Sequence, residues 1–184
     1  MIWNMPVSVK IDDVEYNIRN KCDYRVVLDS IIALGNTVLD FKDRLRCALY
    51  IFYDDISKIG NIEAATYEMM NVINLGEKPK EGEGYTRPLM DWEKDFKYIA
   101  PAVNRVLGYD VRDSKAYTHW YTFVGAYMEI GDCAFATIIR IRKKRRTGQK
   151  MEKWEMEFYT KNQNDIDLPL KLTKEQRAEI FEEY

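Results

Sequence analysis

The sequence predicts a mainly α-helical protein, a helical domain with a short β-hairpin at its N-terminus. Two short segments near the start alternate apolar and polar residues, which is the pattern of strands with one buried face. Beyond residue 23, apolar residues recur three or four positions apart, as they do along one face of a helix. Residues that favour helix ends, mainly aspartate and glycine, stand at the borders of these segments.

The hairpin is predicted over residues 7–11 and 14–18, with Asp12 and Asp13 between the two arms. A two-residue connection is a common turn between antiparallel strands. Aspartate is a weaker turn residue than glycine, because a positive φ costs it more. The alternation in both arms nevertheless favours a short hairpin.

Three helices are predicted to follow. They cover residues 23–35, with Asp23 as the N-cap, then residues 40–60, and then residues 61–76. The predicted inward-facing residues of the second and third helices are Phe41, Leu45, Leu49, Phe52, Ile56, Ala65, Met69, Val72 and Ile73. This spacing is typical of amphipathic helices that cover a core.

The predicted linker is the segment 77–90, whose first twelve residues contain two prolines, two glycines and six charges. Such a composition is too polar to pack and rich in residues that interrupt helices. The predicted domains are therefore residues 1–76, with the hairpin and helices, and the all-helical residues 91–184. Alternatively, the two regions form one continuous domain.

The C-terminal region is predicted to contain five helices. Their predicted positions are residues 91–108 with Asp91 as N-cap, 114–130, a helix starting at Asp132 after Gly131, 151–161, and a last helix from Thr173, where Gln176 completes a capping box. The third of these extends into a strongly basic segment.

The composition argues against several function classes. The 184 residues include 28 basic and 30 acidic ones, and a net charge of −2 gives no global field for nucleic acid or an anionic membrane. His119 is the single histidine, and Cys22, Cys47 and Cys133 form no C-x-x-C pair. We therefore expect free thiols, no metal, no cofactor and no catalytic residues.

No segment of the sequence is predicted to interact with a membrane. The first ten residues do not resemble a signal peptide. The longest charge-free, largely apolar stretch, residues 116–128, is 13 residues long, and a bilayer span needs about 20.

The basic segment 140–150 holds seven positive charges and no acid. Its candidate patch residues are Arg140, Arg142, Lys143, Lys144, Arg145 and Arg146. The segment 152–184 that follows has nine acids and five bases. A solvated helix end, or one paired with these acids, explains the run without a function. A protein-binding surface and a nucleic-acid contact are the two other interpretations.

Aromatic residues recur at helical spacing in the C-terminal half. The candidate partner-binding residues are Trp92, Phe96, Tyr109, Trp120, Tyr121 and Trp154. Aromatic residues at such a spacing are usually part of the core. The alternative is that some of them line a groove for an apolar partner segment, since tryptophan and tyrosine anchors dominate interface energetics.

Several stretches together resemble a phage protein family. Near the start these are Val14-Glu-Tyr and residues 23–28, and further along they are residues 91–95, 106–113, 117–120, 125–133, 152–155 and 157–159. The sequence is similar to the bacteriophage "gene product fifteen" family of long-tailed phages and prophages of Gram-positive bacteria. The resemblance covers most of the chain and is most specific between residues 91 and 160.

The resemblance implies a non-enzymatic tail assembly chaperone. Such a protein would coat the tape measure protein before tail-tube subunits polymerise around it. It would act as a homo-oligomer in the host bacterial cytoplasm and be absent from the mature virion. The alternatives are a structural virion or head–tail connector component, and a DNA-binding regulator that uses residues 140–150.

Overall fold

The computed structural model describes residues 4–77 and 88–168. In this part of the chain there are eight α-helices and one two-stranded antiparallel sheet, which confirms the predicted fold class. The elements are β1 (Ser8–Ile11), β2 (Val14–Asn17), α1 (Tyr24–Leu34), α2 (Phe41–Phe52), α3 (Ile62–Ile73), α4 (Trp92–Leu107), α5 (Trp120–Met128), α6 (Ala134–Thr147), α7 (Lys153–Lys161) and α8 (Gln163–Ile166).

The chain divides into two compact units. Of the described residues, unit 1 comprises 4–77 and 117–123, and unit 2 comprises 88–116 and 124–168. Helix α5 thus contributes its first residues to unit 1 and the rest to unit 2. Most of the predicted linker 77–90, and all of the helix predicted from Thr173, lie outside the described residues.

The hairpin forms as the sequence predicts. Strands β1 and β2 pair antiparallel, with Ile11 opposite Val14, and the turn consists of Asp12 and Asp13. Both aspartates have positive φ, 48° and 67°, which a two-residue turn of this kind requires. Ile11 is 3% exposed, so one face of the hairpin is part of the core of unit 1.

A left-handed turn follows the hairpin at Asn20, Lys21 and Cys22, whose φ angles are 49°, 55° and 62°. Three consecutive non-glycine residues in this region are costly, because the side chain then crowds the backbone carbonyl. Segment 117–123 satisfies two carbonyls of the turn. The hydroxyl of Tyr117 donates to Lys21 O at 2.7 Å, and the amide of Trp120 donates to Cys22 O at 2.9 Å.

Helix α1 begins at the predicted N-cap. The Asp23 carboxylate accepts from Arg25 N at 3.0 Å and also from Thr118 N at 3.3 Å. The hydrogen bond from Thr118 links the start of the helix to segment 117–123. The ring of Tyr24 stacks on Phe123 with centroids 4.4 Å apart, which extends the core of unit 1 between the same two segments.

Helix α2 is shorter than predicted, since it ends at Phe52 rather than near Gly60. Tyr53 is extended and pairs with Ile18 in an isolated bridge. The guanidinium of Arg19 donates to the carbonyl oxygens of Tyr50, Ile51 and Tyr53 at 2.7–2.9 Å, and thereby satisfies the end of the helix. A strand-like contact from a distant segment therefore stops the helix.

The inward position predicted for Phe41 is wrong, because its side chain is 66% exposed. The buried residues of α2 are Ala48, Leu49 and Phe52, all in its second half. Phe41 is on the same helix face but in the first turn, which the core does not cover.

Helix α5 starts at Trp120, not near Ser114. The two residues before it make strand-like contacts: Thr118 O accepts from Tyr24 N at 2.9 Å, and His119 pairs with Asp23 in an isolated bridge. The predicted N-cap of α6 is also off by one residue. Gly131 has the expected positive φ of 57°, but Cys133 caps the helix, with its Sγ 3.5 Å from Ala136 N.

Unit 2 is built on α4, α6, α7 and α8. Helix α4 has the predicted ends, with Asp91 accepting from Lys94 N at 3.1 Å and Gly108 at φ 78°. A buried cluster consists of Ile138, Ile141 and Ile166, and against it pack Tyr98, Met151, Phe158 and Tyr159. Helix α8, which supplies Ile166, was not predicted. None of the helices in residues 4–77 and 88–168 is long and apolar enough to cross a membrane.

Candidate functional site

Arg142 is not part of a surface patch, which corrects the prediction made from the basic run. Its side chain is 5% exposed, and the carboxylate of Asp95 beside it is fully buried. Nη1 donates to Asp95 Oδ2 at 2.6 Å and to Leu89 O at 3.0 Å. Nη2 donates to Asp95 Oδ1 at 2.9 Å and to Asp165 O at 3.0 Å, and Nε donates to Ile166 O at 2.6 Å. These contacts use all five N–H groups of a guanidinium.

Three other residues of the basic run also have acidic partners. Arg140 and Lys144 both contact the carboxylate of Glu155, at 3.2 Å and 2.6 Å. Glu155 is only 1% exposed, and its hydrogen bond with Lys144 is the main reason that its pKa is lowered. Arg145 pairs with Asp167. These three residues of the basic run are therefore paired with acids that follow it, one of the arrangements the sequence allowed.

Two residues of the predicted patch, Arg146 and Lys143, form no ion pair within the described residues. Arg146 Nη2 donates to Pro88 O at 3.0 Å, and Lys143 is exposed. Within the part of the chain that the structure describes, no carboxylate lies within ion-pair distance of Lys143. The pairing of the other residues reduces the charge that remains for phosphate groups.

The predicted partner-binding aromatics divide between the two units. Trp120 and Tyr121 lie in unit 1. Trp120 is 3% exposed and donates its Nε1 hydrogen to Ile73 O at 3.1 Å, so it is a core residue. Tyr121 is half-buried, and burial raises the pKa of its hydroxyl.

In unit 2, Trp92 is half-buried and its ring lies 5.5 Å from that of Tyr127. Phe96 is half-buried as well, and Tyr109 is 39% exposed. Trp154 is 45% exposed and has two side-chain contacts. Arg140 lies over its ring at 4.9 Å, and its Nε1 donates to Glu152 at 2.7 Å.

Unit 1 carries an apolar groove that the sequence did not predict. It has a volume of about 740 Å³ and lies where α2 ends and α3 begins. The residues that line this α2–α3 groove are Arg46, Cys47, Leu49, Tyr50, Ile51, Ile56 and Ile62. Tyr50 is 67% exposed and Ile62 is 44% exposed, so large apolar side chains border it on the solvent side.

One feature of the sequence could have indicated the α2–α3 groove. Cys47 and Tyr50 are three residues apart, off the face of α2 that carries Leu45, Leu49 and Phe52. Apolar residues at helical spacing outside the core-facing side indicate a second contact surface. The lining residues beyond α2, Ile56 and Ile62, could not be assigned to a groove from the local sequence, because this side of the groove forms only when α2 ends at residue 52.

The described residues show no group of three or more His, Cys, Asp or Glu side chains that could hold a metal ion. His119 is buried; its Nδ1 accepts from Tyr121 N at 3.1 Å and its Nε2 lies 2.9 Å from Pro6 O. Both ring nitrogens thus have backbone partners. Burial raises the pKa of the Cys22 thiol to about 12, which makes it a poor nucleophile.

A family model described as "Bacteriophage Gp15 protein" matches residues 1–168 of the chain. Comparison with curated proteins and with solved structures gave no match.

Proposed function

The chain belongs to the bacteriophage Gp15 protein family, and from this premise we propose that it is a non-enzymatic tail assembly chaperone. In this proposal it binds the tape measure protein of the phage before tail-tube subunits polymerise around that protein. It acts in the cytoplasm of the host bacterium as a homo-oligomer and leaves the tail before the virion is mature.

The structural observation that carries this proposal is the α2–α3 groove. A helix can dock in an apolar groove through side chains at positions i, i+3, i+4 and i+7. The volume of about 740 Å³ and the exposed Tyr50 and Ile62 suit such an amphipathic segment. A tape measure helix that buries its apolar face here would be protected from aggregation.

The positive charge at the groove would favour some partner helices over others. Arg46 is the charged residue in its described lining, and its side chain is 79% exposed. Its ion pair with Asp43 is long, at 3.7 Å, so the guanidinium is accessible to a second carboxylate. We expect the bound helix to carry an acidic residue beside its apolar anchors.

The exposed aromatics of unit 2 are a second candidate contact surface. Trp154 is held in place by Arg140 and Glu152, and a rigid exposed tryptophan is a favourable interface anchor. Trp120 is not a candidate for direct contact with the partner, since it is 3% exposed; it stabilises the core of unit 1.

The test is co-expression with the product of the gene immediately downstream, followed by affinity purification and sizing of the complex. A soluble complex of defined mass is expected. Ile62→Glu should reduce the recovered partner at least about tenfold, because it places a charge in the groove. The substitution suits the fold, since Ile62 is the first residue of α3 and acids are favourable there.

Tyr67→Glu is the matched control, because Tyr67 is 62% exposed on the same helix and does not line the groove. It should leave partner recovery unchanged. Equal recovery with Ile62→Glu and Tyr67→Glu would rule out the groove as the binding site. An insoluble partner with no co-purification would contradict the chaperone role itself.

Two other functions give different outcomes. A structural virion or head–tail connector component would be found by mass spectrometry in purified particles, whereas a chaperone would be absent. A DNA-binding regulator would bind DNA at low salt with an affinity that falls steeply as salt rises. The ion pairs of Arg140, Arg142, Lys144 and Arg145 make this second alternative the weaker one.

A further inference from the structure

Residues 162–168, here called the strap, are held to the rest of unit 2 mainly by polar contacts. Lys94 Nζ donates to two strap carbonyls, Asn164 O and Asp167 O, both at 2.6 Å. Arg142 donates to two more, Asp165 O and Ile166 O. The backbone of this short segment is thus bonded by side chains of α4 and α6.

The two strap carboxylates have partners on three helices. Asp165 accepts from Lys97 Nζ and from Tyr98 Oη of α4, each at 2.6 Å. Asp167 pairs with Arg145 of α6 and accepts from the hydroxyl of Tyr159 of α7 at 3.1 Å. The carboxylates are 35% and 40% exposed, so salt screens both ion pairs.

The apolar part of the attachment rests on one fully buried side chain. Ile166 is 0% exposed and lies against Ile138 and Ile141. Tyr98, Phe158 and Tyr159 complete the cup that receives it. The strap therefore presents a short recognition motif, in which the apolar side chain of Ile166 lies between two carboxylates. The cup that receives it is bordered by the cations Lys97 and Arg145.

We propose that the strap detaches from its cup while the rest of unit 2 stays folded, and that the cup then binds the strap of a second copy of this chain. The second copy is the occupant because it supplies the same aspartate–isoleucine–aspartate sequence, and every contact described above re-forms between chains. Reciprocal exchange of an identical element is a low-cost route to a dimer.

The connection before the strap favours exchange. Asn162 alone separates α7 from α8, and its φ of −124° and ψ of 25° are not helical. A short connection between two packed elements favours exchange between copies, because it limits how the second element can fold back on its own chain. Asn162 is therefore the hinge, and the proposal does not depend on the tape measure protein.

The test uses two full-length variants in a Cys47→Ser background, which removes the exposed native thiol. One carries Lys97→Cys in the cup, and the other carries Asp165→Cys in the strap. The two proteins are mixed and treated with a short bis-maleimide. A covalent heterodimer is expected, because Lys97 of one copy then faces position 165 of the other.

The doubly substituted Lys97→Cys, Asp165→Cys chain is the positive control, since it cross-links within one molecule when the strap is closed on its own cup. Lys143→Cys replaces Lys97→Cys as the matched negative control, because Lys143 is exposed on α6 outside the cup. Efficient cross-linking within the double variant, without any heterodimer over a wide concentration range, would overturn exchange between copies.

Salt gives a second readout on the unmodified protein. Amide hydrogen exchange of residues 163–168 should be about three- to tenfold faster at 1 M than at 0.05 M NaCl, because the two ion pairs are screened. Amides near Ile138 and Ile141 should not change. Equal acceleration across all of unit 2 would show that the strap does not open by itself, and would refute the proposal.

Discussion

The carboxylate of Asp95 and the guanidinium of Arg142 form a bidentate ion pair that is buried from solvent, with N–O distances of 2.6 Å and 2.9 Å. Asp95 Oδ2 also accepts from Asp91 N at 2.9 Å. The pair thereby links the N-terminus of α4 to α6. Because Arg142 also bonds Leu89 O and two carbonyls of the strap, one side chain connects four segments of unit 2.

Loss of either partner should strongly destabilise the protein. Asp95→Asn keeps the shape of the side chain but leaves the Arg142 charge buried without a counter-charge, which costs about 3–5 kcal/mol. Urea unfolding followed by circular dichroism measures the loss. Lys143→Met is the control, since Lys143 is exposed and its change should stay within about 0.5 kcal/mol. Similar losses for both variants would contradict the assigned role of the pair.

His119 should be the tautomer that carries its ring hydrogen on Nε2. The amide of Tyr121 donates to Nδ1, so Nδ1 carries no hydrogen, and the Nε2 hydrogen is then available for Pro6 O. The ¹⁵N shifts of the single imidazole test this assignment without ambiguity. A Nδ1-protonated ring would contradict it.

His119→Asn tests the Nε2 contact separately. Its amide oxygen can replace Nδ1 as the acceptor for Tyr121 N, but it cannot reach Pro6. The variant should lose about 1 kcal/mol of stability, the usual net value of one hydrogen bond. It should also increase hydrogen exchange in residues 4–7, and unchanged exchange there would count against the contact.

The three cysteines should differ widely in reactivity. Cys47 is exposed, Cys133 is half-buried and Cys22 is buried. Burial is the main reason that the pKa of Cys22 rises to about 12, so at pH 8 almost none of it is thiolate. A maleimide time course read by mass spectrometry should show one fast adduct, on Cys47. Cys47→Ser should remove that adduct, and rapid labelling of Cys22 would refute the assignment.

Acid should weaken unit 2. The hydrogen bond from Lys144 lowers the pKa of Glu155, and those from Lys97 and Tyr98 lower the pKa of Asp165. A carboxyl with a lowered pKa in the folded state stabilises the fold above its ordinary pKa, near 4, and this contribution disappears as pH falls further. The free energy of unfolding should therefore decrease below about pH 5.

Asp165→Asn is the matched variant for this titration. It removes one of the shifted carboxyls, so its unfolding free energy should depend less steeply on pH over the acid range. Urea titrations between pH 7 and pH 3 provide the comparison. An unchanged slope would mean that Asp165 does not contribute to the acid sensitivity.

Local sequence signals predicted those features that depend on neighbours in the chain. The N-caps Asp23 and Asp91 and the glycine end at Gly108 are where the sequence places them. The end of α2 and the start of α5 were wrong for a shared reason. Each boundary is set by a strand-like pairing with a distant segment, Ile18 with Tyr53 and Asp23 with His119. Helical periodicity in the sequence cannot predict such a pairing.

The same limit applies to the candidate sites. Helical spacing from Phe135 and Ile138 places Arg142 on the buried face of α6, but the partner that neutralises its charge lies 47 positions earlier in the sequence and has no local signal. Trp120 and Trp154 have equal status in the sequence, yet one is 3% and the other 45% exposed. Which aromatic residue fills a core is a property of the assembled unit, not of its helix.

The composition of unit 1 has a practical consequence for anyone who divides this chain for expression. A fragment that stops at residue 76 lacks segment 117–123, and with it the Trp120 amide bonded to Cys22 and the ring stacked on Tyr24. A fragment that begins at residue 91 carries that segment without the residues it completes. No single cut yields both units intact, so domain deletions in this protein would report on a damaged fold rather than on the missing half.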